Sequence, residues 1–292
     1  MSEKVITSYK AFDKNMQCRG FQYEVGKEYE MDGEIECCNR GFHACKSPIE
    51  VWNYYDMLNS RYAEVEQSGK IEKEENSTKV CSSHIKIKAE LKLADIINIG
   101  VEWLKDITSP SKVKADGVLN DNGDRRKQIG SSGDSAKIGS SGYSAKIGSS
   151  GNSAQIGSSG DSAQIGSSGD YAKIGSSGYS AQIGSSGDSA QIGSSGNSAK
   201  IGSSGDSAQI GSSGDYAKID STGEDSVIMC AGNSSRAKAK VGSWITLTEW
   251  KWSYEKKRDV PVCVKTEYVD GDNIKADTWY QLKNRKFVEV TE

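Results

Sequence analysis

The sequence predicts a mainly β protein built around a central β-solenoid, and three observations carry that prediction. Isoleucine returns every ninth residue from Ile129 to Ile219 within the phrase I-G-S-S-G-(D/Y/N)-S-A-(K/Q). Each isoleucine ends a segment such as Ser135-Ala136-Lys137-Ile138, whose polar–apolar alternation is that of a strand with Ala and Ile on one face. All six tryptophans (Trp52, Trp103, Trp244, Trp250, Trp252 and Trp279) lie outside the repeat, so ordinary globular sequence flanks a repetitive middle. The expected organisation is an α+β domain over residues 1–115, a nonapeptide-repeat solenoid over 116–242 and a β-rich C-terminal cap over 243–292.

In the first domain, apolar and aromatic runs at Val5–Phe12 and Phe21–Val25 predict strands. The segment Gly41-Phe42-His43-Ala44-Cys45 leads into a predicted helix. Its start is marked by Ser47 as cap, Pro48 at the first helical position and Glu50 completing a capping box before Val51-Trp52-Asn53-Tyr54-Tyr55. Further strands are expected at Arg61–Glu66 and His84–Leu93, followed by a short helix over Leu93–Leu104.

The repeat follows, bounded near Pro110–Asp116 and Cys230–Val241, where the nine-residue phase breaks. Fixed-period self-similarity means units that bury their apolar faces only by stacking. A helix would carry two glycines in every nine residues at about 1 kcal/mol each, so strand–turn units are favoured. Nine residues are too few to encircle a core, which predicts two repeats per 18-residue coil. The ten repeats from Ile129 to Ile219, (219 − 129)/9, then make about five coils. One edge would read Asp134, Asn152, Asp170, Asp188, Asp206 and the other Tyr143, Asp161, Tyr179, Asn197, Asp215. Tyr171 and Tyr216 stand one place further on, and with Tyr143, Tyr179, Asp134, Asp170, Asp188 and Asp206 they form the candidate binding surface.

After Ala239-Lys240-Val241-Gly242, a degenerate last unit, strands are expected at Trp244–Lys251, Val260–Val269, Ile274–Leu282 and Phe287–Val290. Asp270–Asn273 and Asn284-Arg285 read as the hairpin turns between them. A solenoid leaves raw strand edges at its ends, so this segment, with Trp244 and Trp250, is expected to cap the rod and to carry a partner surface.

Composition excludes several roles. Asp134, Asp161, Asp170, Asp188, Asp206 and Asp215 face Lys137, Lys146, Lys173, Lys200 and Lys218, six against five. So neutral a rod neither mimics nor binds nucleic acid. Calcium-binding nonapeptide repeats need a constant aspartate, which Tyr143, Asn152, Tyr179 and Asn197 interrupt here. Seven cysteines, with Cys37 and Cys38 adjacent, fit reduced thiols in a cytoplasm, and no apolar run approaches a membrane span. No cofactor or metal is expected. The alternative metal set would be Cys37, Cys38, His43 and Cys45, which lack paired C-x-x-C spacing.

Cys18-Arg19-Gly20-Phe21-Gln22-Tyr23-Glu24-Val25-Gly26, Gly41-Phe42-His43-x-Cys45-x-x-Pro48 and Arg61-Tyr62-Ala63-Glu64-Val65-Glu66 resemble the marks of an uncharacterised domain of hypothetical proteins from bacteriophages and Gram-positive bacteria. The resemblance covers about the first hundred residues, implies a phage or prophage origin and brings no activity with it. A second similarity, of His43 and the Glu64-x-Glu66 pair to ADP-ribosyltransferases, would make a glutamate the stabiliser of a ribose cation and His43 a nicotinamide contact. Alternation such as Glu64-Val65-Glu66 is also that of any half-exposed strand. The expected function is therefore non-enzymatic: an interaction protein with a protein partner, acting in the host cytoplasm as an inhibitor or sequestering factor against host defence. The alternatives are a homo-oligomeric fibre or spike element and the ADP-ribosyltransferase-like enzyme.

Overall fold

The computed structural model describes residues 5–74, 77–108, 118–121 and 128–291, so the boundary expected near Pro110–Asp116 lies outside the described residues. The chain divides into two compact units, Met1–Trp103 and Leu104–Glu292. Among the described residues no helix is long and apolar enough to cross a membrane.

The first unit is a β domain: β1 Ile6–Phe12, β2 Gln17–Cys18, β3 Phe21–Gln22, β4 Glu28–Glu30, β5 Phe42–Cys45, β6 Arg61–Lys73 and β7 Lys79–Leu91, before α1 at Leu93–Thr108. Its antiparallel pairings close into a ring. Strand β1 joins β6 from Ile6↔Gln67 to Phe12↔Arg61, β6 joins β7, β7 joins β5 at Phe42↔Ser82, and β5 returns to β1 at Tyr9↔Cys45. Phe12, Phe42, Ala44, Ala63, Val65, Ile85 and Ile87 fill one core cluster. Beside them Gln67 is fully buried; its amide donates to the carbonyls of Phe42 and Val80, and its carbonyl accepts from the Ser8 hydroxyl. A buried amide with partners on three strands fixes the register of the ring.

Two expectations change here. The segment after Cys45 forms a 3₁₀ helix over Pro48–Asn53 rather than an α-helix, and Ser47 makes no side-chain cap. The Glu50 carboxylate is taken by Ser77 Oγ at 2.8 Å and Thr78 Oγ1 at 2.7 Å, so it cannot reach back to close the box. Strand β3 ends at Gln22, short of the expected Val25.

The second unit is the solenoid, and its coil holds two repeats. Every repeat pairs in parallel with the one 18 residues on, Ile138 with Ile156 and Ile147 with Ile165, so alternate repeats build two separate sheets. The first contains the strands at Lys137, Gln155, Lys173, Gln191 and Gln209; the second contains those at Lys146, Gln164, Gln182, Lys200 and Lys218. The isoleucines form columns inside, 3% exposed in the first sheet and 0% from Ile147 to Ile219 in the second, joined in one cluster that runs to Leu282. The inward serines Ser158, Ser167, Ser176, Ser185 and Ser194 are buried as well, their small side chains keeping the rod thin.

The turns stack as tightly as the strands. At the second glycine of each repeat an added Cβ would meet the backbone carbonyl of the glycine one coil before, Gly178 in the case of Gly196. At the first glycine of the repeats in the first sheet, as at Gly193, it would meet open space. Two residues past the second glycine the chain turns through φ near +55° at Ser153, Ser189 and Ser207. Each of these amides donates to a carbonyl of the next coil, as Ser189 does to Asp206 at 2.8 Å, and so the left-handed residue is held in place.

Both sheets end in antiparallel strands. Trp244–Ser253 stacks in parallel on Val227–Cys230 and then pairs with Arg258–Tyr268. Tyr280–Lys283 joins Arg236–Lys238 through Ala237↔Tyr280 and pairs with Lys286–Glu289. The expected strand Ile274–Leu282 thus begins only at Tyr280. Asp270 Oδ1 accepts from the amides of Asp272, Asn273 and Ile274 and holds the preceding segment as a turn.

Candidate binding surfaces

The two corners of the coil carry the variable residues in the two rows that an 18-residue period requires. In one row Asn152 N donates to Asp134 Oδ1 at 2.9 Å, Asp170 N to Asn152 Oδ1 at 3.0 Å, Asp188 N to Asp170 Oδ1 at 2.9 Å and Asp206 N to Asp188 Oδ1 at 2.8 Å. The aspartates singled out as binding groups are thus also rungs between coils. Asn152 makes the same bond without charge, which separates Asp134 from Asp170 along the edge. In the other row Tyr179 N donates to Asp161 Oδ1 at 2.8 Å and Asp215 N to Asn197 Oδ1 at 2.9 Å. A tyrosine cannot supply that rung, and its ring points outward.

Tyr143, Tyr171, Tyr179 and Tyr216 are 59%, 62%, 57% and 61% exposed. Three of them share one corner. Tyr143 and Tyr179 occupy equivalent positions two coils apart, about 10 Å at the inter-strand distance of a sheet, and Tyr216 stands one residue past the equivalent position, Asp215, two coils further on. Tyr171 stands on the opposite corner, beside Asp170. At the end of the first sheet, in the segment expected to carry a partner surface, Trp244 is exposed in one row with Val227 and Tyr268, which sequence reasoning missed, across three strands, with Met229 and Val264 nearby. The signal lay in Val227 and Met229, apolar where the earlier repeats have Lys or Gln and then Gly, or Asp at Asp220.

In the first unit the structure disperses the alternative catalytic set. Glu66 pairs with Lys88 at 2.8 Å, Glu64 stands opposite Tyr9 in the β1–β6 register, and His43 lines a cavity that neither glutamate reaches. The alternative metal set does not assemble either: among the described residues no group of three or more His, Cys, Asp or Glu is placed to hold a metal. Instead Cys38 N donates to His43 Nε2 at 2.9 Å, and Lys79 Nζ donates to Cys38 Sγ at 2.8 Å.

The cavity holding His43 measures about 610 Å³ and is walled by β1, β5 and the loops around Cys18 and Cys38. Lys10, Arg19, Arg40 and Lys79 line it together with Phe21, Tyr23, Tyr54 and Tyr55. Tyr55 donates its hydroxyl to Cys18 Sγ at 2.6 Å, and Lys79 sits 4.8 Å from the Tyr54 ring centre. Burial, aided by the charges of Lys10, Lys79 and Arg19, pushes the His43 pKa down to about 4, so the ring is neutral at pH 7. These residues are scattered from Lys10 to Lys79, and only the ring of strands gathers them. The one sequence trace is Lys10 at an inward strand position between Ser8 and Phe12.

Residues 6–99 match the model of a domain of unknown function, DUF7666. No curated protein and no solved structure matches the chain.

Proposed function

We propose that this chain is a non-enzymatic interaction protein of phage or prophage origin, whose solenoid presents a tyrosine-bearing corner to a protein of the host cell, sequestering or inhibiting a defence component. The observation that carries the reading is the tyrosine corner: Tyr143 and Tyr179 in register two coils apart, with Tyr216 one residue past the next register position, three exposed rings on one edge of a rigid lattice. Tyrosine supplies large, stiff contact area at low entropic cost, which is why such rings anchor protein interfaces. Supporting it further, the apolar row Val227, Trp244, Tyr268 is exposed.

The test is recovery of a partner from extract of the natural host by the full chain and by two variants. Replacing Tyr143, Tyr179 and Tyr216 together by alanine is expected to abolish recovery, whereas Tyr171→Ala on the opposite corner leaves it intact. Equal recovery by both variants would sink the proposal. A stable trimer in light scattering would instead support the fibre.

A further inference from the structure

We infer that the cavity of the first unit is a binding site for a small anion bearing a planar ring, the chemistry of a nucleoside phosphate. The reading rests on the cavity alone and is independent of the rod. Four cationic side chains line the space and, among the described residues, no carboxylate does; Glu74, at 3.3 Å from Lys79, approaches from outside the lining. Lys10 is the decisive group. It is 4% exposed, and among the described residues its Nζ has the His43 carbonyl at 2.9 Å, Cys18 Sγ at 3.5 Å and the rings of Phe12 and Tyr23, each at 5.5 Å, and no carboxylate partner.

An ammonium taken out of water with no counter-charge is costly to hold, and that cost is relieved when a ligand brings an anion to it. Arg19, exposed at the mouth, offers the planar donor fork suited to phosphate or carboxylate oxygens. His43 feels the same positive field: burial first, and then the charges of Lys10, Lys79 and Arg19, hold it neutral, and it acts as a strut between Gly41 and the Cys38 amide. For the ring, Phe21 and Tyr54 present faces that are each 46% exposed at the cavity wall. The volume is that of a small-molecule site and too small for a folded partner.

Calorimetry on the full chain, with ADP, inorganic pyrophosphate and adenosine as separate probes, tests the inference. ADP is expected to bind more tightly than either part. Lys10→Met should remain folded, since it removes a buried unpaired charge, and should weaken ADP by about tenfold or more. Arg19→Gln, at an exposed position, is expected to weaken ADP and pyrophosphate alike, and Phe21→Ala only ADP. Bound ADP should also raise the His43 pKa from about 4, read by NMR titration of its ring. Binding of neither ADP nor pyrophosphate at millimolar concentration would overturn the site. Undiminished binding by folded Lys10→Met and Arg19→Gln would overturn it too, and pyrophosphate binding as tightly as ADP would overturn the ring.

Discussion

Gly196→Ala is expected to unfold the middle of the rod, whereas Gly193→Ala, three residues earlier in the same repeat, leaves it intact or slightly more stable. Both replace a glycine by the smallest chiral residue, and the difference lies in what the new methyl meets. At Gly196 it points at the carbonyl of Gly178 in the coil below, a backbone atom held by the stacking on both sides. The coils would have to part, at about 3 kcal/mol or more, and every later turn would inherit the shift. At Gly193 nothing lies within 4 Å, and alanine gains the roughly 0.5–1 kcal/mol that glycine forfeits in a strand. Thermal melts of the two proteins check this, and equal melting temperatures would refute the turn stacking.

Ile183→Asp is the second large effect. Ile183 is 0% exposed, between Ile165 and Ile201 in the column of the second sheet. A carboxylate there has no donor within the apolar column and costs more than about 4 kcal/mol. In a solenoid each unit contacts only its neighbours, so the loss divides the rod into two short stacks instead of being shared by a larger core. Ile183→Val, which removes one methylene, should cost about 1 kcal/mol. Urea titration separates them: a folded Ile183→Asp rod would contradict the packing described above.

How much of this was legible depended on the range of the interactions. The rod was read from its period because nearest-neighbour stacking writes the same demand into every nine residues; the length of the repeat then implied two per coil. The aspartates were read as surface groups because a bond from Asp170 to the amide of Asp188 exists only once coils stack. The capping box of Ser47 and Glu50 was a sound local inference, and it failed because Ser77 and Thr78, far along the chain, compete for the same carboxylate. The cavity was invisible for a related reason. Lys10, Arg19 and Lys79 have no local pattern, and the closure of β1, β5, β6 and β7 brings them together.

The account depends most on the 18-residue coil, since that period puts Tyr143, Tyr179 and the neighbouring Tyr216 on one corner and Tyr171 on the other. Pairs of introduced cysteines measure it. Asp170→Cys with Asp188→Cys places two thiols one coil apart on one edge, about 5 Å between Cα atoms and within the span of a disulfide. Asp170→Cys with Tyr179→Cys places them on opposite edges, separated by a four-residue strand of about 13 Å, beyond any disulfide. Mild oxidation followed by peptide mapping is predicted to link 170 to 188 and to leave 170 and 179 unlinked within the chain. A 170–179 link, or a folded protein in which 170 and 188 fail to join, would contradict the two-repeat coil and with it the tyrosine corner.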